Sequence, residues 1–208
     1  MVIFGIPFHA SWLFWVIMAI LGRADQARTP DQWLNVGLFM LAGTVSIGLH
    51  ELGHALVGRK FGARNPWIEL HGMGGLCRFQ SARFTRWQDF LVSGAGPAAN
   101  FILALLFGTL ILVFGDRTRE MVGVLMGHFL WVNLVWGIFN LMPIHPLDGG
   151  QMLRAALGPQ RLRLTFLVSI VTASVLLAPL LYFGGGFTAV ILILLIWDNL
   201  QNLNATRR

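Results

Sequence analysis

The chain of 208 residues has one cysteine, one tyrosine and, at 12%, few charged side chains. A single thiol, Cys77, excludes an internal disulfide framework, and its expected state is a small apolar side chain packed away from water. So little charge excludes the solvated surface of an ordinary soluble protein. With 56% hydrophobic residues and a mean hydropathy of +0.68, the chain has more apolar surface than one soluble core hides. No repeat of fixed period, low-complexity tract or long linker interrupts it, so residues 1–208 read as one membrane domain.

What the sequence does hold is long apolar runs, at 6–21, 33–57, 90–114, 122–142, 164–183 and 187–200. Runs of about 18 or more are candidate spanning helices, and they predict an all-α polytopic membrane protein with about six transmembrane helices. The first run has no basic residue before it and no small-residue cleavage site after it, so it reads as a helix rather than a signal peptide.

A net charge of +6 would suggest a nucleic-acid partner in a soluble protein. Here the positions of the charges assign it to loops instead. Arg59, Lys60, Arg64, Arg78, Arg83 and Arg86 follow the second run against only Glu69 and Asp89, whereas Arg23 and Arg28 before it are balanced by Asp25 and Asp31. The positive-inside rule makes the former loop cytoplasmic. Arg154, Arg161, Arg163, Arg207 and Arg208 fall on the same side, and Arg117 and Arg119, offset by Asp116 and Glu120, on the other. Six spans with both termini inside fit this pattern, and a prokaryotic cell membrane is the expected location.

Within the second run stands "LHELGHALVGRK", from Leu49 to Lys60. Residues four apart on a helix lie one turn above each other, so His50 and His54 present both imidazoles to one point with Glu51 beside them. That geometry suits zinc, which takes three protein ligands in a catalytic site and leaves a position for water whose proton a nearby carboxylate removes. A third ligand is required, and Asp148 in "FNLMPIHPLDGG", at the cytoplasmic end of the fourth run, is the leading candidate. Glu69 and Asp89 sit in the basic loop, where pairing or solvation is the ordinary role of an acid. A metal-ion transporter, in which the glutamate between the histidines would have no role as a base, and a catalytically inactive membrane chaperone are the alternatives.

His50-Glu51-x-x-His54 together with Asn140-x-x-Pro143-x-x-x-x-Asp148-Gly149-Gly150 resembles the site-2 protease family of intramembrane zinc metalloproteases. The resemblance continues through "GMGGL" (Gly72 to Leu76) and "SGAGPAANF" (Ser93 to Phe101). It implies one zinc ion held by His50, His54 and Asp148, water activation by Glu51, and a role for Asn140 in holding the substrate or the oxyanion. It further implies a transmembrane protein as substrate, cut within or near its membrane segment, with the lipid bilayer as the other partner. No segment reads as the PDZ or CBS domain that some family members carry, and the sequence has no signal of oligomeric state.

Glycines and prolines cluster on the side assigned to the cytoplasm. "NPWIELHGMGGLCRF" predicts a short membrane-associated β-hairpin between helices 2 and 3. Residues 68–79 are expected to clamp unwound substrate by strand addition. Gly96 and Pro97 predict a close helix approach, and Asn100 a hydrogen bond to the metal site. His71 and His145 read as loop histidines, and His9 and His128 as histidines on apolar helices.

Overall fold

A computed structural model describes residues 1–115, 120–183 and 186–206. The charges of Asp116, Arg117, Arg119, Arg207 and Arg208, used above for sidedness, lie outside the described residues. The elements run β1 (Val2–Ile3), β2 (Ile6–Ala10), α1 (Trp12–Leu21), α2 (Pro30–Lys60), β3 (Arg64–His71), β4 (Gly74–Ser81), α3 (Arg86–Phe114), α4 (Glu120–Asn140), α5 (Asp148–Leu157), α6 (Leu162–Phe183) and α7 (Gly186–Ala205). Among the described residues, four helical segments are long and apolar enough to cross a membrane: α2, α3, α4 and Pro159–Tyr182, which carries α6. The chain is an integral membrane protein, mostly helical with a small sheet.

The structure differs from the all-α expectation at its start. Residues 6–10 form strand β2, because Pro7 cannot donate in a helix and Ile6-Pro7-Phe8-His9-Ala10 alternates in exposure with a period of two. His9 is therefore on a strand. Phe4 (φ 50°) and Gly5 (φ 75°) form the two-residue turn between β1 and β2, where paired positive φ values match the strand twist. Ser11 then starts α1, its Oγ accepting from the Phe14 backbone N–H at 3.3 Å. At 10 residues, α1 is about 15 Å long, half the hydrocarbon thickness.

The chain divides into two units. The first, Met1–Arg83 with Ala95–Ile138, holds a sheet in the order β1-β2-β3-β4. Strands β2 and β3 are parallel, with Phe8 opposite Ile68, and β3 and β4 form the expected hairpin, with Ile68 opposite Cys77. Pro66, Ile68 and Leu70 point inward from β3. Ile68 and Leu70 join Ile6, Phe14, Met18, Ile47, Leu52 and Ala55 in one buried cluster, so the sheet is seated on α1 and α2. A capping box at Thr29 and Gln32 starts α2, and Arg59 and Lys60 occupy its last turn, favourably for the helix dipole.

The second unit, Phe84–Gly94 with Phe139–Arg208, is built on Ile144, Ala173, Leu192 and Leu195. The loop between α4 and α5 is pinned at His145, whose backbone N–H donates to Ser169 Oγ at 2.9 Å and whose carbonyl accepts from Asn199 Nδ2 at 2.5 Å. Helix α5 was not anticipated, since two glycines in its first turn lower helix propensity and follow two prolines. A Cβ on Gly149 would overlap the Leu141 and Met142 carbonyls, and one on Gly150 the Ile144–His145 backbone. The glycines therefore serve close backbone contact within the unit.

Candidate functional site

Helix α2 carries His50, Glu51 and His54 with exposures of 2%, 5% and 8%. His54 is six residues from Lys60, about 9 Å from the helix end at 1.5 Å per residue. Its Nε2 faces the Nε2 of His50 at 3.2 Å. Two nitrogens bound at about 2.05 Å in a tetrahedral site are about 3.3 Å apart, so the separation is the bite of one ion. Glu51 Oε1 lies 3.9 Å from His50 Nε2.

A buried chain of amides fixes which nitrogen of His50 is available. Its Nδ1–H donates to Asn100 Oδ1 at 2.5 Å, which leaves the Nε2 lone pair for a ligand. Asn100 Nδ2 donates to Asn133 Oδ1 at 2.8 Å, setting the Asn100 amide with its oxygen toward the histidine. Asn133 Nδ2 in turn donates to Ser46 Oγ and to the Phe129 carbonyl, both at 2.8 Å. Ser46, Asn100 and Asn133 are each fully buried, so no water competes for these bonds. The sequence points to Asn100 but not to Asn133 or Ser46, whose only advance signal is a polar residue on an apolar helix.

This chain of bonds yields a prediction. Asn133→Leu, which removes the group that orients Asn100, should weaken metal binding by up to about 10–100-fold, the usual effect of losing a ligand's supporting partner. Asn133→Asp, which still accepts from Asn100, should retain most of it. Competition against a metal buffer measures both, and equal affinity in wild type and Asn133→Leu would remove Asn133 from the site.

Three glycines admit the surrounding backbone. A Cβ on Gly96 in α3 would overlap the Nε2 atoms of both His50 and His54, and one on Gly53 would stand 2.7 Å from the Ala95 carbonyl oxygen. A Cβ on Gly75 in β4 would overlap the Glu51 carboxyl group. The hairpin tip therefore rests on the face of α2 that carries Glu51, and Gly74 lies equally close to the ring of Trp136. Cys77 is on the same strand. Burial, and secondarily the Glu51 charge, push its thiol up to about 12, so it is protonated and unreactive at neutral pH.

Asp148 is the first residue of α5, where the positive end of the helix dipole favours its charge; its Oδ2 is shielded from solvent. His50 and His54 belong to the first unit and Asp148 to the second. Asn140 closes α4, half-buried. The remaining candidates have other settings. Asp89 pairs with Arg154 at 2.9 Å, and Glu69 lies opposite Leu76 in the hairpin. His71 Nδ1 accepts from the Met73 backbone N–H within the hairpin turn, and His128 Nε2 is 2.9 Å from Asn35 Oδ1. The His145 ring stands edge-on to Phe166; burial, then the Arg154 charge, lowers its pKa.

A profile of Peptidase family M50 matches residues 37–123 and 115–181. The chain belongs to this family, that of the site-2 proteases. It is 38% identical over 151 residues to Rip3 of Mycobacterium tuberculosis, covering 70% of this chain and 38% of that protein. It is 29% identical over 155 residues to the zinc metalloprotease MJ0392 of Methanocaldococcus jannaschii, covering 74% and 44%. The chain spans about two fifths of the length of these curated relatives. Its fold is similar to that of the solved site-2 protease from Methanocaldococcus jannaschii, with a TM-score of 0.68 and 24% identity over 98% of this chain and 93% of that one.

Proposed function

We propose that the chain is an intramembrane zinc metallopeptidase, hydrolysing peptide bonds within or near the transmembrane segments of membrane-protein substrates. The observation that carries this reading is the His50–His54 pair, with its nitrogens at the bite of one ion beside the buried carboxyl group of Glu51. His50, His54 and Asp148 are proposed as the ligands. Zinc bound there supplies a Lewis acid that acidifies water and polarises a carbonyl. Glu51 takes the proton from the attacking water and returns it to the leaving amine. Asn140 is proposed to steady the substrate or the developing oxyanion by hydrogen bonding.

A transmembrane substrate hides its peptide bonds, since each amide is already paired within its helix. Among the described residues, strand β4 pairs only with β3 in the sheet order, and its Gly75 touches Glu51. We propose that β4 receives an unwound stretch of substrate as an added strand beside the catalytic carboxylate. The basic residues after α2 support a cytoplasmic catalytic side, and the pairing of β2 with β3 supports an N-terminus on that side. Helices α1 and α7 are proposed to bring the count to about six, with both termini cytoplasmic.

One reconstituted assay tests this reading. In liposomes with a single-span substrate, cleavage should stop on chelation and return with zinc, and proline substitutions along residues 76–79 should slow it at unchanged zinc content. Cleavage indifferent to chelators would reject the metallopeptidase, and full turnover by the proline variants would reject the strand clamp.

A further inference from the structure

We infer that the open end of the β3–β4 hairpin is a binding site for the phosphate group of anionic phospholipids. Arg64, Trp67, Arg78, Phe79 and Arg83 help to line a cleft of about 1000 Å³ there. Arg64, Arg78 and Arg83 are all exposed. Among the described residues, the arginine paired with a carboxylate is Arg154, on Asp89, and these three have no acid partner. Three unneutralised guanidinium groups around one cleft form a site for an anion, and the planar guanidinium fork suits phosphate oxygens bidentately.

The position of the cleft selects the source of that phosphate. The apolar run of α2 ends at Val57, and Gly58, Arg59 and Lys60 complete the helix. Phe79 of β4 is seated against Gly58, where a Cβ would overlap its ring. The cleft is thus level with the point at which a spanning helix leaves the hydrocarbon, the depth at which lipid headgroups lie. Trp67 stands opposite Arg78 in the strand register and is 37% exposed, an amphipathic ring beside a cation, as at membrane interfaces. Phe79 and Cys77 add apolar lining, which suits the glycerol and first methylenes of a lipid better than a fully hydrated anion. Basic residues held at this depth attract anionic lipid.

The test uses the full chain purified in a neutral detergent, with bound lipid counted by native mass spectrometry. Wild-type protein should retain phosphatidylglycerol over phosphatidylcholine by roughly tenfold or more, about fivefold per engaged arginine. The triple variant Arg64→Gln/Arg78→Gln/Arg83→Gln should lose that preference, while Arg161→Gln/Arg163→Gln, equally basic positions elsewhere, should keep it. Equal retention of the two lipids by the wild type overturns the proposal and needs no variant to do so. Undiminished preference in the triple variant also overturns it. Displacement of phosphatidylglycerol by a soluble polyglutamate peptide, but not by inorganic phosphate, would assign the cleft to acidic protein segments and likewise overturn it.

Discussion

Gly96→Ala is expected to purify with less than about a tenth of the wild-type metal, and with activity reduced in proportion. The added methyl group would occupy the space between the Nε2 atoms of His50 and His54, the proposed position of the ion. Relief by separating α2 from α3 is blocked at two points. The Gly53 position already touches the Ala95 carbonyl, which fixes the helix approach, and withdrawing α3 would break the 2.5 Å bond from His50 to Asn100. A buried donor left unsatisfied costs about 1–3 kcal/mol, so the helices gain nothing by moving apart. Gly94→Ala is the comparator, since its Cβ would meet only the Met152 side chain at 3.5 Å, an ordinary contact. Metal content by mass spectrometry decides the matter, and normal occupancy in Gly96→Ala would show that the imidazoles bind elsewhere.

Glu51→Gln should act in the opposite way, keeping the metal and losing the chemistry. Glutamine has the shape of glutamate, so the contact with Gly75 survives, and neither ligating nitrogen changes. What disappears is the group that accepts and returns a proton. General acid–base catalysis contributes about 10²–10⁴-fold, and kcat for a reconstituted substrate should fall by at least that range at unchanged zinc occupancy. A variant that cleaves at the wild-type rate would remove Glu51 from the mechanism, whereas loss of both metal and rate would make it a structural support of the site.

The two sets of variants divide the site between holding the ion and using it. Asn133 acts through Asn100 on the tautomer of His50, so its removal should appear in affinity. Glu51 is proposed to take the proton of the attacking water, so its removal should appear in kcat. Parallel losses from both would mean that the polar chain and the carboxylate form one inseparable unit.

How much of this was legible in the sequence follows from which interactions are local. His50 and His54 belong to one helix, and a spacing of four suffices to aim both imidazoles at one point. The hairpin was legible through its alternation, and the glycines around it through their number. Asn133 was not legible, because its role depends on which face of α4 meets Asn100, and periodicity is weak in a helix apolar all round. Strand β2 was hidden inside an apolar run, since hydropathy does not distinguish a strand paired with β3 from the first turns of a helix. Helix α5 was concealed by Gly149 and Gly150, whose value lies in contacts with Leu141 and His145 that appear only once the chain has folded.

The most direct measurement is the zinc X-ray absorption spectrum of the purified protein. The account predicts one ion with two imidazole nitrogens at about 2.0–2.1 Å and carboxylate oxygen at about 2.0–2.2 Å, with the carboxylate contribution altered in Asp148→Ala. Sulfur at about 2.3 Å, which would bring in Cys77, or a shell without paired imidazoles, would contradict it.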